Sequence, residues 1–340
     1  MIVRARTPLR ISYAGGGTDV DPFKDKYGGV VLNSAISKYC HGTLKTRDDE
    51  SIGIHSIDLG ISIVHEPGKS ILYDGNLDLI KAVIRHIQNK ASSKIGGFDI
   101  QTYCEAPPGS GLGTSSAVVV TIIGLLCRAY GIHMDSYDTA KMAWIIERRD
   151  MEMAGGFQDQ FTAVFGGKLN YMEFRDGFDV VVNKLDVDRS VLNEFQSRLS
   201  MYFTGGLHKS HDIIKDQIKD EESKNHHLLE MKLMASHMKD CIMKGRLGSF
   251  GDLLLHEWQI KKRLSSMITN KAINEMEEVA LEAGADGLKI TGAGGGGMML
   301  VASDPMKKLG IAKALGSLGA VPVDFEFVKP GLETWVVNEG

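Results

Sequence analysis

Several signals that would assign a protein early are missing from this chain of 340 residues. Cysteine is scarce. Cys40, Cys104, Cys127 and Cys241 form no C-x-x-C pair and sit among apolar neighbours, which reads as reduced core thiols of a cytoplasmic protein and excludes a disulfide framework or a cysteine zinc clip. No apolar run reaches the ~18 residues of a membrane span. The opening "MIVRARTPLRIS" lacks an apolar h-region and reads as a first strand, not a signal peptide. Net charge is only −4, too little positive charge for a broad nucleic-acid footprint, although a local basic patch stays open. Long linkers, low-complexity tracts and internal repeats are also missing. What remains, with 43% hydrophobic and 24% charged residues, is an ordinary globular composition with enough length for about two domains at ~150 residues each.

Glycine is what the chain has in plenty. There are 39, many in four clusters: "AGGGTD" at 14–19, "GSGLGTSS" at 109–116, "AGGFQDQ" at 154–160 and "TGAGGGGM" at 291–298. Clustered glycine marks backbone that bends sharply or approaches something closely. One such cluster is a turn; four suggest a site rimmed by loops.

The intervening segments alternate strand and helix patterns. "IVRARTPLRISY", "GGVVLNSAISKYCHGTLKTR", "ISIVHEP" and "GFDIQTYCEA" read as strands, and "LDLIKAVIRHIQNK" as an amphipathic helix. "SSAVVVTIIGLLCRAYG" is β-branched, but its length favours a buried helix ended by Gly131. "SYDTAKMAWIIERRDMEMAGG" predicts a second long helix closed by Gly155, followed by a short helix in "QDQFTAVFGG" and a strand in "KLNYMEF". From about 180 the character changes. Long polar helices over roughly 209–244, 248–267 and 270–284 precede the last glycine cluster, and "DPMKKLGIAKALGSLG", "PVDFEFV" and "GLETWVV" predict a helix and two strands. The Met- and Leu-rich helices between 226 and 268 read as core in preference to a dimer face; a homo-oligomer stays open.

The loop 107–116 lies between a strand and a helix N-terminus. Unpaired N–H groups and the positive end of the helix dipole converge there, and glycine lets the backbone wrap an anion. Helix capping alone needs one Ser or Thr, not three glycines as well, so the loop reads as a phosphate site. It is not a P-loop, because no lysine follows the glycines. Gly292, Gly294 and Gly297 fit G-x-G-x-x-G, but a strand-like "MMLVAS" follows, with no room for a dinucleotide domain. That match is accidental. Asp19 ends a strand–loop that begins at Arg10, and a carboxylate there suits hydroxyl recognition or an ordinary turn. Asp159 lies just past two glycines, where a helix N-cap is the bland alternative. Glu147 interrupts the apolar "AWII" and calls for a partner, either the following arginines or a metal.

Taken together, "ARTPLRISYAGGGTD", "PPGSGLGTSSA" and "LKITGAGGGGMML" resemble the three ordered motifs of the GHMP kinase superfamily, and the resemblance spans nearly the whole chain. The first motif looks most like the sugar-1-kinase branch that includes heptose 7-phosphate kinases and the kinase part of L-fucose kinase; galactokinases carry a histidine where this chain has Gly17. The resemblance implies an α+β, two-domain fold: a ribosomal-protein-S5-like domain over 1–180 and a ferredoxin-like α/β domain over 181–340. It implies ATP and Mg²⁺ as cofactors, a small-molecule sugar or sugar phosphate as partner, and neither nucleic acid nor membrane. ATP phosphates would be held by Pro108, Gly109, Ser110, Gly111, Leu112, Gly113, Thr114, Ser115 and Ser116. Ser116 and Glu147 would face the metal, with Ser115 the alternative because the loop has one residue more than that of mevalonate kinases. Asp159 would take the proton of the sugar hydroxyl with Arg10 beside it, and Gly16, Gly17, Thr18, Asp19, Gly292, Gly294 and Gly295 would contact the sugar. The branch implies heptose 7-phosphate converted to the 1,7-bisphosphate, with L-fucose, galactose or another free sugar, or a non-catalytic sugar-binding regulator, as the alternatives. A sugar phosphate asks for a second anion site, for which Lys38, His208 and Lys209 are the candidates.

Overall fold

A computed structural model describes residues 1–91, 95–206, 210–218 and 221–337. Strands β1 (Ile2–Ala14), β2 (Gly29–Thr46), β3 (Ile52–Ser56), β4 (Ile61–His65), β5 (Phe98–Cys104), β6 (Asn170–Phe174), β7 (Val180–Lys184) and β12 (Glu333–Val337) build one sheet. Its order is β12-β1-β2-β5-β3-β4, with β6 on the first half of β2 and β7 on β6. Only the β3–β5 pair is parallel. A second sheet of four antiparallel strands runs β11-β8-β10-β9, from β8 (Leu199–Phe203), β9 (Gly287–Ile290), β10 (Met298–Ala302) and β11 (Val321–Pro322).

Helices α2 (Asp78–Lys90), α3 (Thr114–Tyr130), α4 (Ser136–Ile145) and α5 (Gln158–Phe165) pack with the first sheet. The short α1 (Phe23–Tyr27) leads into β2; α6 (Arg189–Arg198), α9 (Phe250–Lys262) and α11 (Lys308–Ser317) pack with the second sheet, α10 (Lys271–Glu282) on α11, and α8 (Glu221–Met243), with α7 (Ser210–Ile218) beside it, lies between α9 and strands β1 and β2. Helix α3 is apolar almost all round, as a helix between layers must be, and Gly131 closes it in the left-handed conformation with its N–H on Cys127 O. Its close seat on β2 needs a glycine opposite. A Cβ at Gly42 would stand 2.7 Å from Leu125 and Thr121 side-chain carbons.

β1 ties the layers together. Val3 and Ala5 join the core beneath α2 and α3, whereas Leu9, Ile11 and Tyr13 join the core shared with α8 and α9. The division expected at 180 falls at the first residue of β7, which completes the first sheet, and β12 returns to that sheet from the far end of the chain by pairing Ile2 with Val337. Among the described residues no helix is long and apolar enough to cross a membrane.

Two local expectations change. The helix predicted through Gly155 stops at Ile145 and continues as a π-turn over Ile146–Asp150, with Met151 N–H on Ile146 O; residues 151–157 are irregular. Within the polar stretch 209–244 the described residues are helical over α7 and α8, as expected. Of "PVDFEFV" only Pro322 pairs in a strand, as the second residue of Val321–Pro322, and Phe327 makes one further bridge to Ile36. Strands β3 and β8 and helix α6 carry too little periodic signal to be read from sequence.

Candidate active site

The loop between β5 and α3 takes its shape from glycine. Gly109, Gly111 and Gly113 have φ of +79°, +80° and +76°, a region that costs other residues steric strain. Its carbonyls are held by both domains. Arg10 N–H donates to Leu112 O at 3.0 Å and Met298 N–H to Ser110 O at 2.9 Å. The Thr291 hydroxyl donates to Gly111 O at 2.8 Å, and the Arg10 guanidinium reaches the same carbonyl. The three motifs therefore meet at the segment Ser110–Leu112. A Cβ on Gly111 would lie 2.4 Å from Thr291 O, and one on Gly292 would lie 2.6 Å from Gly111 Cα.

Arg10 of the first motif also meets Asp159 of the glycine cluster at 154–160. Arg10 Nε donates to Asp159 Oδ1 at 2.7 Å, with the arginine side chain 5% exposed. Asp159 sits in the first turn of α5 and packs against the phosphate loop, 3.4 Å from where a Cβ on Gly113 would be. It is not the cap of that helix. The capping carboxylate comes from Asp19, whose Oδ2 accepts Phe157 N–H and Gln158 N–H, both at 2.9 Å, while Oδ1 accepts Gly17 N–H at 3.1 Å. Burial raises the Asp19 pKa, against the pull of the Gln158 and Gly17 N–H groups, and the charge of Asp159 adds to the rise.

Glu147 is carried by the π-turn, a helical irregularity often found at functional positions. It is fully buried and accepts from Ser116 Oγ at 2.6 Å and from Gln160 Nε2. Its other oxygen, Oε1, has no hydrogen bond and lies 4.0 Å from the Arg148 guanidinium. Ser115 Oγ is buried without a partner; of the two serines, Ser116 is the one that meets Glu147.

These groups line a cavity of about 740 Å³. Arg10, Gly16, Gly17, Asp19, Asp159 and Glu147 line it, as do Pro108, Gly109, Gly111, Gly113, Thr114, Ser115, Ser116 and Gly292. Five of the residues expected at the ATP phosphates or the sugar do not. Leu112 and Ser110 turn inward and give their carbonyls to Arg10 and Met298. The Thr18 hydroxyl donates to Gly15 O and Val30 O, which locks the first loop. Gly294 packs on Ile268, and Gly295 N–H donates to Ile268 O at 2.7 Å. Lys38 belongs to a second cavity of about 600 Å³, with Lys308, Asp324 and Glu326. His208 and Lys209 lie outside the described residues.

Sequence reasoning missed other lining groups. Arg148, Gln158, His211, Gln217 and Lys261 add polar and charged groups to the lining, while Leu59, Leu77 and Ile80 add apolar ones. Lys261 carried a signal: with Leu254, Trp258 and Leu264 it falls on the helical spacing of a buried stripe, where a lysine is out of place.

Residues 78–167 match the GHMP kinases N terminal domain and residues 238–320 the GHMP kinases C terminal family. A D-glycero-alpha-D-manno-heptose 7-phosphate kinase from Campylobacter jejuni is 36% identical over 98% of both chains. The crystal structure of a D-glycero-D-manno-heptose 1-phosphate kinase from Bacteroides thetaiotaomicron superposes with a TM-score of 0.85 at 32% identity, over 99% of this chain and 100% of that one. An L-fucokinase/L-fucose-1-P guanylyltransferase from Bacteroides fragilis is 28% identical over 92% of this chain but only 36% of its own length. The motifs, the two-domain architecture and these likenesses agree: the chain belongs to the GHMP kinases and is an ATP-dependent sugar kinase.

Proposed function

We propose that the protein transfers the terminal phosphoryl group of ATP to the anomeric hydroxyl of D-glycero-D-manno-heptose 7-phosphate, giving the 1,7-bisphosphate for nucleotide-heptose and surface polysaccharide synthesis in the cytoplasm. The observation that carries the choice of sugar is the 36% identity with the Campylobacter jejuni heptose 7-phosphate kinase over 98% of both chains.

Phosphoryl transfer asks mainly for positioning and charge neutralisation. The glycine loop and the start of α3 receive the ATP phosphates. Asp159 takes the proton of the attacking hydroxyl, and Arg10, paired with it and anchored on Gly111 O, stabilises the moving phosphoryl group. Asp19 sets the start of α5 and so the position of Asp159, and it lines the cavity together with Gln158, where a carboxylate can accept from a sugar hydroxyl.

The donor set fits a hard divalent cation such as Mg²⁺: Ser116 Oγ, the unpartnered Glu147 Oε1 and phosphate oxygens are all oxygen ligands. When bound, the ion would neutralise phosphate charge.

The test is turnover of a panel of sugars with γ-labelled ATP. Heptose 7-phosphate should give the highest kcat/KM and a product labelled at the anomeric position. Faster turnover of an unphosphorylated sugar such as L-fucose would replace the heptose reading.

A further inference from the structure

Lys261 is 3% exposed, lines the cavity, and donates to Gly292 O. An ammonium has three N–H donors, so this one carbonyl leaves donors over. Two neighbouring cations have carboxylate partners. Arg10 pairs with Asp159 at 2.7 Å, and Lys289 lies 3.6 Å from Glu257 while donating to Tyr13 O at 2.7 Å. Glu257 Oε1 also accepts Gly15 N–H at 3.0 Å. Among the described residues no carboxylate pairs with Lys261 as Asp159 pairs with Arg10; Glu257 and Asp19 act on it only through their fields. A buried cation with no carboxylate in direct contact is costly unless an anion arrives to complete it. The place is also informative. Lys261 is fastened to Gly292, and Gly292 abuts Gly111 of the phosphate loop, the residue to which Arg10 is anchored.

We propose that Lys261 is a phosphate ligand of this active site, its ammonium binding a phosphate oxygen of a substrate beside Arg10. The proposal rests on the kinase reading, which supplies two sources of that group: the terminal phosphoryl of ATP and the phosphate ester of a phosphorylated acceptor sugar. Burial, with the charges of Lys289 and Arg10, lowers the Lys261 pKa to about 7 in the empty site, against Glu257 and Asp19. A bound phosphate dianion would draw the proton back, so phosphate binding and protonation of Lys261 support each other.

The experiment compares ligand pairs that differ by one phosphate, by calorimetry on the full chain: ATP against ADP, and heptose 7-phosphate against the free heptose. Lys261→Met should weaken the phosphate-bearing member of one pair by about ten- to a hundredfold, the usual worth of a charge-assisted hydrogen bond, and leave the other member unchanged. Loss on the ATP–ADP pair identifies the transferred phosphoryl; loss on the heptose pair identifies the acceptor's ester. Lys261→Arg should recover part of it. A folded Lys261→Met that leaves both ratios unchanged, or lowers both members of each pair equally through the Gly292 loop, overturns the proposal. If Lys261→Met does not fold, Lys261→Gln, which keeps an N–H donor for Gly292 O but no charge, decides: one ratio should fall, and two unchanged ratios overturn the proposal. Failure of the wild type to bind heptose 7-phosphate would remove the heptose reading, while the ATP–ADP pair would still decide Lys261.

Discussion

Replacing Asp19 by alanine separates a sugar ligand from a structural cap. The carboxylate accepts three backbone N–H groups, from Gly17, Phe157 and Gln158. A hydrogen bond to a charged group contributes about 1.5–3 kcal/mol, so their loss alone would cost roughly 5–9 kcal/mol. Two effects offset that figure. The desolvation that raises the Asp19 pKa disappears with the carboxylate, and water from the cavity that Asp19 lines can reach the freed N–H groups. A net loss of about 2–4 kcal/mol is expected, in the range for a broken buried network. With an unfolding entropy of ~2.1 cal/mol/K per residue, a chain of this length should lose about 3–6 °C in Tm. Because the folded pKa of Asp19 is raised, its contribution becomes more favourable as pH falls through that pKa toward the unfolded value of ~3.9; the stability gap to the variant should widen in the same direction. The assays are thermal unfolding across pH and amide exchange at Phe157 and Gln158. An alanine variant with native Tm, unchanged exchange and only a raised KM for the sugar would refute the cap and leave a pure substrate ligand.

Asp159→Asn should lower kcat by about 10²- to 10⁴-fold, the usual worth of a general base, with ATP affinity retained; near-native turnover would remove Asp159 as base. Gly111→Ala combines a φ of +80° with a Cβ placed 2.4 Å from Thr291 O, so it should cost about 1–3 kcal/mol in denaturant unfolding and raise KM for ATP, whereas Ala in place of the unobstructed Gly316 should do neither.

The glycine clusters were legible because positive φ has a sequence signature; Arg10, Asp19, Asp159 and Glu147 drew notice as charged residues in apolar or glycine-rich surroundings, but only the resemblance of the ordered motifs chose between a site role and a cap, a turn or a local ion pair. Which side of a loop a residue faces is not in the motif. Thr18, Ser110 and Leu112 lie inside motifs yet serve the loops' own hydrogen bonds. Gly294 and Gly295 are spent on contact with Ile268. The π-turn under Glu147 was hidden because an added residue in a helical turn leaves the apolar pattern almost intact. The return of β12 to β1 was hidden because alternation in a short strand shows that it pairs, not with which partner.

The junction of Arg10, Gly111 and Thr291 has a consequence for synthesis. Its parts are read from the messenger far apart, and the last comes only after nearly three hundred residues. A chain ended before Thr291 can bring Arg10 to Gly111 but lacks the Thr291 hydroxyl and the Met298 N–H that hold the Gly111 and Ser110 carbonyls. Prematurely ended chains should therefore neither consume nor sequester nucleotide, a prediction open to assay on ribosome-stalled fragments.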